Sequence, residues 1–543
     1  MHPLQNSQLL KRLERLNAIG VALSAERNNN RLLEIILLGA KEIANADGGT
    51  IYTVTDDKYL KFEIMSNTTL DISLGGTTGK EIPFPALHMY LADGQPNLTT
   101  VAVYAALNDQ TVNIENSYLV QDFDFSGTRK FDQSTGYRSQ SFLTIPMKNH
   151  ESEVIGVLQL INAIDANTQE IIPFSAEIQS LVESLASQAA VAMTNHNLIE
   201  GLKGLFESFI ELMAEAIDQK SPYTGGHCRR VPELTMMLAQ AAIDTKTGPL
   251  ESFTLNEKEF YELKIAGWLH DCGKVTTPES VMDKPTKLSA IFDRINLVDQ
   301  RFELLKKQAE CDALKKQIEA LQSGKQADVA LSQSMLEIFN SKCNEDRDFL
   351  RRANFGGEFM TAADQQRVAE IAAIKILDAD GNEQHFLSEN EVYNLNIARG
   401  TLTAEEREII NNHIVVTISM LESLPYPKAL KRVPEYAGGH HERMDGKGYP
   451  RGLTREQMSI PARVMGIADI FEALTAKDRP YKNAKTLSES LDILGKMKLD
   501  NHIDPDLFDL FIREKIYLRY AKQFLQPEQI DDVDERKIPG YQP

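Results

Sequence analysis

The spacing of apolar residues changes along the first 175 positions. Residues 8 to about 45 carry the three-to-four-residue spacing of an amphipathic helix. Four short β-rich runs follow, punctuated by Gly, Asn and Asp: GTIYTV, YLKFEIM, SFLTIPM and VIGVLQLI. A helical start, several short strands and a return helix predict an α+β domain of sensor size over residues 1–175.

Helical spacing returns over residues 176–219, where no proline interrupts the pattern. A break near His196 divides the apolar positions into two groups, Val182, Leu185, Ala189 and Ala192, then Leu202, Phe206, Phe209 and Met213. The pattern predicts a long helix that connects two domains, and such helices often pair between subunits. We therefore expect a homodimer; the alternative is a helix packed only on its own domain.

Beyond residue 220, strand-like runs nearly disappear and helical patterns continue to about residue 525. The second half is therefore predicted to be a mostly α domain over residues 220–525, with a C-terminal tail over 526–543.

Residues 291–400 are predicted to form a helical insertion in this domain. A charged amphipathic helix ends at Gly324, a second reaches the FGG run at 355–357, and a third spans about 361–376. The DADGN run at 378–382 has its glycine at the fourth position, whereas a calcium-binding loop needs it at the sixth, so a turn is predicted there. The insertion could cap a site, regulate it, mediate dimer contact or decorate the surface.

Composition narrows the class of protein. A chain of 543 residues is expected to hold two or three domains. The formal net charge of −20 argues against binding a nucleic-acid polymer, but it leaves room for a small phosphate ligand in a locally basic pocket. No apolar run approaches membrane-spanning length, and the N-terminus lacks a signal-peptide pattern. Four scattered cysteines without a CxxC pair are typical of a reduced, cytoplasmic protein.

Histidines and aspartates in the α-rich half indicate a metal site. Two of the sequences that carry them, GWLHDCGK and RVMGIADIFEAL, place the acid among apolar residues at helical spacing. An inward-facing Asp is costly unless it is paired or metal-bound. One such His alone is more often a hydrogen-bonded core residue, but seven residues together favour ligation. The candidate ligands are His227, His270, Asp271, His413, His440, His441 and Asp469.

Neutral imidazole and carboxylate without thiolate suit Fe, Mn or Zn better than Mg or Ca. Seven ligands are too many for one ion, so two divalent ions sharing a bridging carboxylate are predicted, with Fe or Mn favoured over Zn. Two-metal sites hydrolyse phosphate esters by activating water and neutralising the charge of the attacking and leaving oxygens.

HDCGK followed by HHERMDGKGYP resembles the HD-GYP phosphodiesterases. The resemblance runs from about Asp218 to about Phe511 and is interrupted by the insertion. It implies hydrolysis of a cyclic dinucleotide, chiefly cyclic di-GMP, to linear pGpG and in some members to GMP. Cyclic GMP-AMP is an alternative substrate, and a non-catalytic cyclic-dinucleotide receptor or docking protein is the alternative of another class.

The resemblance also implies residue roles. Asp271 would bridge the two ions and act in catalysis with Lys274, whose charge lies where oxyanion charge develops. The first metal site would hold His227, His270, Asp271 and Asp469, and the second Asp271, His413, His440 and His441. Substrate would be bound by Lys274, Arg479 and Lys482. The signature loop contains Asp445, Gly446, Gly448, Tyr449 and Pro450, with a structural role or a role in docking a signalling protein.

Three departures from the HD-GYP pattern qualify these expectations. Tyr223 stands where some members have a Glu that binds a third metal, so a dinuclear site is expected. His270 and His413 are much further apart than in the family, as an insertion requires. Glu472 stands where many members have Asp, which implies altered base recognition or slower turnover.

Residues 131–163, FDQSTGYRSQSFLTIPMKNHESEVIGVLQLINA, resemble GAF domains, close to those of phosphodiesterases that bind cyclic nucleotides. This implies an antiparallel sheet with flanking helices and a regulatory role. Asn162 and Phe174 align with the dispersed Asn-Lys-Phe-Asp-Glu motif, but Ala163 replaces the Lys, and Ile178 and Gln179 replace the acids. The domain is therefore expected to bind an unknown small molecule or none.

Overall fold

The structure is a computed structural model that describes residues 3–220, 226–324, 328–357, 359–378, 380–477 and 485–542. The chain divides into two compact units, Met1–Phe206 (unit 1) and Glu207–Pro543 (unit 2). None of the described helices combines the length and the apolar composition that crossing a lipid bilayer requires.

Unit 1 is an α+β domain around one antiparallel sheet. Its strands are β1 Ala46–Val54, β2 Tyr59–Asn67, β3 Ile72–Gly75, β4 Leu87–His88, β5 Val112–Ile114, β6 Phe142–Lys148, β7 Val154–Ile164 and β8 Ile171–Ile172. Its helices are α1 Pro3–Ala25, α2 Asn29–Ala44, α3 Val101–Asn108 and α4 Ser126–Thr135, and α5 Ala176–Lys220 begins in this unit. The strand order is β3-β2-β1-β7-β6-β5, with β4 beside β2 and β8 beside β7.

The four predicted strand runs are confirmed as β1, β2, β6 and β7, the central strands of this sheet. Ile51 pairs with Ile64 on one side and with Leu158 on the other, and all three are buried. Residues of α1, α2 and the first half of α5 bury their apolar stripes in the same core. Residues of α3 belong to a second cluster with Tyr52 and Val157. The predicted fold class of this unit is confirmed.

Helix α5 runs without interruption through His196, as the predicted long helix requires, so the break near that residue is a break in the apolar pattern only. The apolar pattern changes phase because the helix changes environment. Val182, Leu185 and Ala189 are fully buried in the core of unit 1. Further along, Leu198 and Leu202 are more than half exposed. A long helix that presents two successive apolar faces gives the sequence a phase shift without any change of backbone.

Unit 2 is mostly helical, as predicted. Its helices are α6 His227–Asp244, α7 Glu257–Leu269, α8 Glu279–Met282, α9 Ile295–Gln322, α10 Val329–Asn354, α11 Ala362–Ala372, α12 Glu389–Leu395, α13 Ala404–Glu422, α14 Val433–Gly438, α15 Ile460–Thr475, α16 Leu487–Leu499, α17 Pro505–Arg513 and α18 Ile516–Phe524. Two short strands, β9 Lys375–Leu377 and β10 Glu383–His385, pair as a hairpin. Helices α6, α7, α13, α14 and α15 pack on one another and form the frame of the candidate site.

A 3-10 turn, Cys272–Thr276, follows α7 and packs on α13. Gly273 in the turn lies directly against α13, because a Cβ atom there would overlap the carbonyl of His413. On the other side, Lys220, the last residue of α5, donates hydrogen bonds from Nζ to the carbonyls of Lys274 (3.2 Å) and Thr277 (2.7 Å) and contacts that of Val275. The turn is therefore fixed between α13 and the end of α5.

The predicted insertion contains α9 to α12 with a core of its own. The first two predicted helices are confirmed, whereas the third ends at Ala372 instead of 376 and is followed by β9; α12 was not predicted. Both ends of the insertion meet at Lys284, whose ammonium binds Asn394 (2.9 Å) and Glu406 (2.8 Å) and whose carbonyl accepts from Thr401 (2.9 Å). The chain thus leaves the frame and returns to the same place.

Residues after α18 pack on unit 2. The Gln529 side chain is buried and donates hydrogen bonds to the carbonyls of Thr475 (2.8 Å) and Lys485 (3.2 Å). Gly495 on α16 lies against Pro539, with no space for a Cβ atom between them. The segment predicted as a tail is therefore anchored to α15 and α16 along its length.

Candidate metal centre

All seven predicted ligands come together in unit 2. His227 is the first residue of α6, His270 caps the C-terminus of α7 and Asp271 follows it. The remaining four belong to α13, to the segment after α14, and to α15. Together they form two groups, His227, His270, Asp271 and Asp469, and His413, His440 and His441, in each of which the ligand atoms lie within 4.8 Å of one another.

The first group converges on the Nε2 atom of His227. This atom lies 3.1 Å from Asp271 Oδ2, 3.3 Å from Asp469 Oδ1 and 3.3 Å from His270 Nε2. His270 Nε2 is in turn 3.3 Å from Asp271 Oδ2. Two carboxylate oxygens and two imidazole nitrogens therefore face one small volume.

The second group is built around His413 and the adjacent pair that follows α14. The Nε2 atoms of His413 and His441 are 3.2 Å apart, and the ring centroids of His440 and His441 are 4.1 Å apart. The other oxygen of Asp271, Oδ1, lies 3.2 Å from His413 Nε2. Asp271 thus directs one oxygen to each group, which is the position of a bridging ligand.

Backbone contacts fix the tautomer of three of these histidines. In each, Nδ1 bonds to the carbonyl three residues earlier, and because a carbonyl only accepts, Nδ1 carries the proton and Nε2 keeps its lone pair. The three bonds are His270 to Gly267 (2.7 Å), His413 to Ile410 (2.5 Å) and His440 to Ala437 (2.6 Å).

This arrangement fits metal cations. Lone pairs at Nε2 would repel each other at 3.2–3.3 Å unless a positive charge lay near them. His440 Nε2 and Asp271 Oδ1 are buried and make no hydrogen bond among the described residues. An unsatisfied buried acceptor is costly, and a cation that binds both groups removes that cost. The donor set of imidazole nitrogen and carboxylate oxygen matches a first-row transition metal.

The charge states suit coordination. Burial would raise the pKa of Asp271, but the Lys274 ammonium and His270 hold it well below its usual range. Burial also opposes ionisation of Asp469, yet its contacts with His227 and His270, which donate from Nε2 when these rings are protonated, keep its pKa well below the usual range. Burial lowers the pKa of His440 to about 4. Burial alone would lower the pKa of His227 and His270, but the adjacent carboxylates raise both, that of His270 to about 9. Because a metal binds ionised carboxylates and neutral imidazole, a cation at the first group would displace a proton from these two rings.

Lys274, predicted to act beside the substrate, lies next to the centre. Its ammonium donates to Asp271 Oδ2 at 2.5 Å. Burial disfavours the charged form, but Asp271 and Asp469 raise the pKa of Lys274, so it stays charged. A fixed cation is thus placed beside the first group.

Glu472 supports the centre from behind, a role that the sequence did not predict. Its Oε2 accepts from Nδ1 of His227 and its Oε1 accepts from Nε of Arg230 (2.6 Å). Burial opposes ionisation, but His227 and Arg230 lower the pKa of Glu472 to about 2. The predicted role in base recognition has no support here, because the carboxylate orients a candidate ligand. The available signal was its position one helical turn after Asp469.

The signature loop holds His441 in place. The ring of Tyr449 stacks on that of His441, with centroids 4.8 Å apart and planes 20° apart, and Tyr449 N donates to the His441 carbonyl (3.3 Å). Gly448 allows the close approach, since a Cβ atom there would overlap Arg443 and Glu442. Tyr449 thus contacts the His441 ring and its carbonyl, and the structural and docking roles of the loop both stay predictions.

The loop is closed by its acidic residues. Asp445 accepts from Arg443 (3.1 Å), and the buried Glu442 carboxylate accepts from the backbone N–H groups of Arg451 (2.7 Å) and Leu453 (2.9 Å). Gly446, which follows Asp445 in sequence, has a φ of 73°, a backbone conformation that favours glycine. The loop is thus ordered by its own contacts, with His441 at its start.

A cavity of about 710 Å³ opens beside His440, His441 and Asp469. Its basic lining residues are Arg399, Arg443, Lys447 and Lys485, and its apolar ones are Ile470, Ala473, Leu474, Ile493 and Met497. The predicted substrate-binding residues Arg479 and Lys482 lie outside the described residues, and so does Tyr223.

Unit 1 contains a second cavity, of about 480 Å³. Seven aromatic residues contribute to its lining: Tyr52, Phe62, Phe84, Phe125, Phe131, Tyr137 and Phe142. Asn162, which aligned with the cyclic-nucleotide motif, instead orders the backbone, because its Oδ1 accepts from Gln140 N (2.8 Å) and its Nδ2 donates to the Arg138 carbonyl (2.8 Å).

The models of two protein families each match one part of the chain. Residues 28–193 match the family model described as GAF domain, and residues 389–507 match the one described as HD domain. The chain therefore carries a GAF domain followed by an HD domain, and both predicted resemblances are confirmed.

Curated relatives resemble parts of the chain. It is 43% identical over 81 residues to 3'3'-cGAMP-specific phosphodiesterase 1 of Vibrio cholerae (15% of this chain, 19% of the relative). It is 35% identical over 126 residues to a cyclic di-GMP phosphodiesterase of Thermotoga maritima (21% and 34%). It is 28% identical over 231 residues to a cyclic di-GMP phosphodiesterase response regulator of Xanthomonas campestris (39% and 59%). The chain thus spans less than two thirds of the length of each of these relatives.

Proposed function

We propose that this protein is a metal-dependent phosphodiesterase that hydrolyses a cyclic dinucleotide, cyclic di-GMP in the first place, to linear pGpG, with further cleavage to GMP as the alternative end point. The observation that carries the proposal is the position of Asp271. Its two carboxylate oxygens face two separate histidine groups. His440, His441 and Asp469 of these groups line a cavity that also has basic lining residues. A bridging carboxylate between two ions is the arrangement that phosphate-ester hydrolysis uses.

The residues would share the work as follows. His227, His270 and Asp469 would hold one divalent ion, His413, His440 and His441 the other, and Asp271 both. When bound, such ions activate water and neutralise charge on the attacking and leaving oxygens. The Lys274 ammonium, 2.5 Å from Asp271, adds positive charge where the phosphate becomes more negative. Glu472 keeps the His227 ring oriented through its Nδ1–H.

The cavity suits a ligand with flat apolar bases and several anionic groups. Its volume of about 710 Å³ lies in the range of small-molecule sites. Its apolar wall can pack nucleobases, and its four cations are concentrated in a chain with a net charge of −20. Local positive charge in an acidic protein is best explained by an anionic ligand.

The relatives support two substrates. Those from Thermotoga maritima and Xanthomonas campestris are named for cyclic di-GMP, whereas the Vibrio cholerae relative with 43% identity is named for 3'3'-cGAMP. The mixed dinucleotide is therefore the second candidate. Both carry the same two phosphodiesters, so the metal centre alone does not separate them.

Regulation by the GAF domain and dimerisation belong to the same proposal. The exposed apolar residues of α5 support pairing with a second chain, because Val191, Leu198 and Leu205 recur every seven residues and all are about half exposed or more. The signal that the unit 1 cavity would receive is a small molecule of unassigned chemistry. The exposed Lys447 of the signature loop leaves room for a docking partner there.

The test is hydrolysis by protein reloaded anaerobically with Mn or Fe(II), with cyclic di-GMP and 3'3'-cGAMP compared side by side. Asp271→Asn should lower both the bound metal and the turnover, the turnover by at least about a hundredfold, because a bridging ligand serves both ions. Asp312→Asn, which changes an exposed carboxylate on α9, is the matched control and should leave both values unchanged. Two bound metals per chain with no hydrolysis of either dinucleotide would contradict the proposal.

A further inference from the structure

We infer that Arg399, at the end of the helical insertion, and Lys485 bind the phosphate of the substrate that is not being cleaved. The inference rests on the proposed function and deepens it. It assigns the insertion a part in the substrate site instead of a purely regulatory or decorative role.

Two of the four cations that line the cavity are already occupied. Arg443 binds the Asp445 carboxylate through Nε and Nη2 (3.1 Å each) and Asp500 through Nη2 (2.9 Å). Lys447 lies 3.5 Å from the same Asp445 carboxylate. Both cations already have an acidic partner, and Arg443 has two, so an anionic ligand would compete with these carboxylates for them.

The other two cations have no such partners. Within the residues that the structure describes, neither the Arg399 guanidinium nor the Lys485 ammonium forms an ion pair or a hydrogen bond, although both line the cavity. The chain has an excess of acidic residues, so two cations without an acidic partner at one cavity make that cavity electrostatically favourable for an anion.

The backbone that carries Arg399 is fixed by the insertion itself. Met360 N donates to the carbonyl of Ala398, the residue before Arg399 (3.1 Å). Gly356 packs so closely on Gly400, the residue after Arg399, that a Cβ atom on Gly356 would not fit. The hydroxyl of Thr401 binds the Lys284 carbonyl (2.9 Å). A long side chain on a fixed backbone segment loses less freedom on binding, which favours a specific contact.

The backbone of Lys485, which lies between α15 and α16, is also fixed by hydrogen bonds. Its carbonyl accepts from the buried Gln529 side chain (3.2 Å), and it precedes Thr486, whose hydroxyl caps α16 by accepting from Glu489 N. The two cations therefore start from independently ordered segments and meet at one cavity.

The chemistry of a cyclic dinucleotide requires such a pair. Its ring contains two phosphodiesters, and when one lies at the metal centre the other remains a full negative charge that would otherwise be desolvated without a partner. A guanidinium binds phosphate with two parallel hydrogen bonds, and an ammonium adds a point charge. A substrate with a single phosphodiester would make no use of these residues.

The test compares two substrates that differ in this respect. Arg399→Ala and Lys485→Ala are each expected to raise the KM for the cyclic dinucleotide about tenfold, with a much smaller effect on kcat. Hydrolysis of bis(p-nitrophenyl) phosphate, which has one phosphodiester, should change less than twofold. Arg352→Ala, on the exposed face of α10 in the same insertion, is the matched control. Arg399→Lys should restore part of the lost affinity.

Either of two results would overturn the inference: an unchanged KM for the dinucleotide in both alanine variants, or an equal loss for both substrates. Failure of the proposed function looks different, because the wild type would then hydrolyse neither dinucleotide. In that event the affinity of metal-loaded protein for cyclic di-GMP decides the matter. A tenfold weakening in Arg399→Ala supports the inference, and equal or absent binding by both proteins refutes it.

Discussion

At the scale of single residues, one device recurs in the candidate centre. His270, His413 and His440 each bond through Nδ1 to the carbonyl three residues earlier. This geometry fixes the ring and leaves Nε2 bare without any help from another side chain. His227 opens α6, so no helical carbonyl precedes it, and the Glu472 carboxylate takes that place.

Glu472→Gln should therefore weaken metal binding. The amide keeps the size of the side chain but loses the charge that orients Nδ1–H of His227, and loss of such a contact typically costs 10–100-fold in metal affinity. Metal content after dialysis against a series of chelator concentrations measures the effect. Glu408→Gln, an exposed carboxylate on α13, is the control. Equal retention of metal by the two variants would show that Glu472 only neutralises Arg230.

Lys287 gives unit 2 a pH dependence in the alkaline range. It is fully buried, its Nζ donates to the Leu395 carbonyl (3.0 Å), and burial lowers its pKa from 10.5 to about 8. Between these two values the unfolded chain binds the additional proton, so the free energy of unfolding rises with pH, by up to roughly 3 kcal/mol.

Lys287→Met removes this dependence, because the variant has no group that titrates at this position. Urea unfolding between pH 7.5 and 10.5, followed by the fluorescence of the single tryptophan, Trp268 in α7, measures the stability of unit 2. The stability of the wild type should rise relative to that of the variant across this range. Parallel curves would contradict the assignment.

At the scale of elements, the sequence predicted regular structure well where periodicity was long. The central strands, α5, α9 and α10 all follow from apolar spacing. The third helix of the insertion was predicted too long because Ala373, Ile374 and Ile376 fit the apolar spacing of a helix as well as that of a strand. Pairing with β10 makes Lys375–Leu377 a strand. Short elements such as β4, β8 and α12 depend on tertiary neighbours and carry too few residues to show a period.

The exposed stripe of α5 predicts self-association. Leu198 and Leu205 are 53% and 68% exposed and lie seven residues apart on one face. Replacing both by Glu should raise the dissociation constant of a dimer at least about a hundredfold, because several apolar side chains lose their burial. Sedimentation equilibrium measures it, with Leu119→Glu, an exposed leucine of unit 1 outside α5, as the control. A monomeric wild type at tens of micromolar would refute the pairing.

At the scale of the whole molecule, the grouping of the seven candidate metal ligands was predictable and the lining of the cavity was not. Ligand types are rare and stand in recognisable sequences, so seven residues could be chosen before any fold was known. Arg399 lies in a segment that contains none of the candidate ligands, and it reaches the cavity where the insertion returns to Lys284. The sequence showed that Glu472 lies one helical turn after Asp469, but it did not show which residue its side chain contacts. Spacing alone does not determine that contact.

The outer part of the α9–α10 hairpin should be dispensable for folding and for hydrolysis. From Lys306 to Lys342 no described residue is buried, whereas Phe302 below them is fully buried against Phe386, with ring centroids 4.5 Å apart. Replacing residues 311–338 by a short Gly-Ser turn should change the free energy of unfolding by less than about 0.5 kcal/mol. Phe302→Ala should lower it by about 3–5 kcal/mol.

Urea unfolding by circular dichroism and dinucleotide hydrolysis are the two measurements for the shortened protein. The base of the insertion and Arg399 remain, so turnover should persist. A large loss of turnover with intact stability would instead place the outer hairpin in control of the site.

The hydrogen bonds from Lys220 to the turn that follows Asp271 have a consequence for information flow. The last turn of α5 and the 3-10 turn that follows Asp271 share one set of contacts, so the free energy of ordering them is shared too. Thermodynamic linkage makes such sharing reciprocal. If a state of α5 tightens that turn and raises the affinity of the centre by some factor, occupation of the centre favours that state of α5 by the same factor. The conformation of α5 would then depend on the occupancy of the site as strongly as the affinity of the site depends on α5. A partner that binds one state of α5 would respond to the concentration of substrate without contacting the substrate.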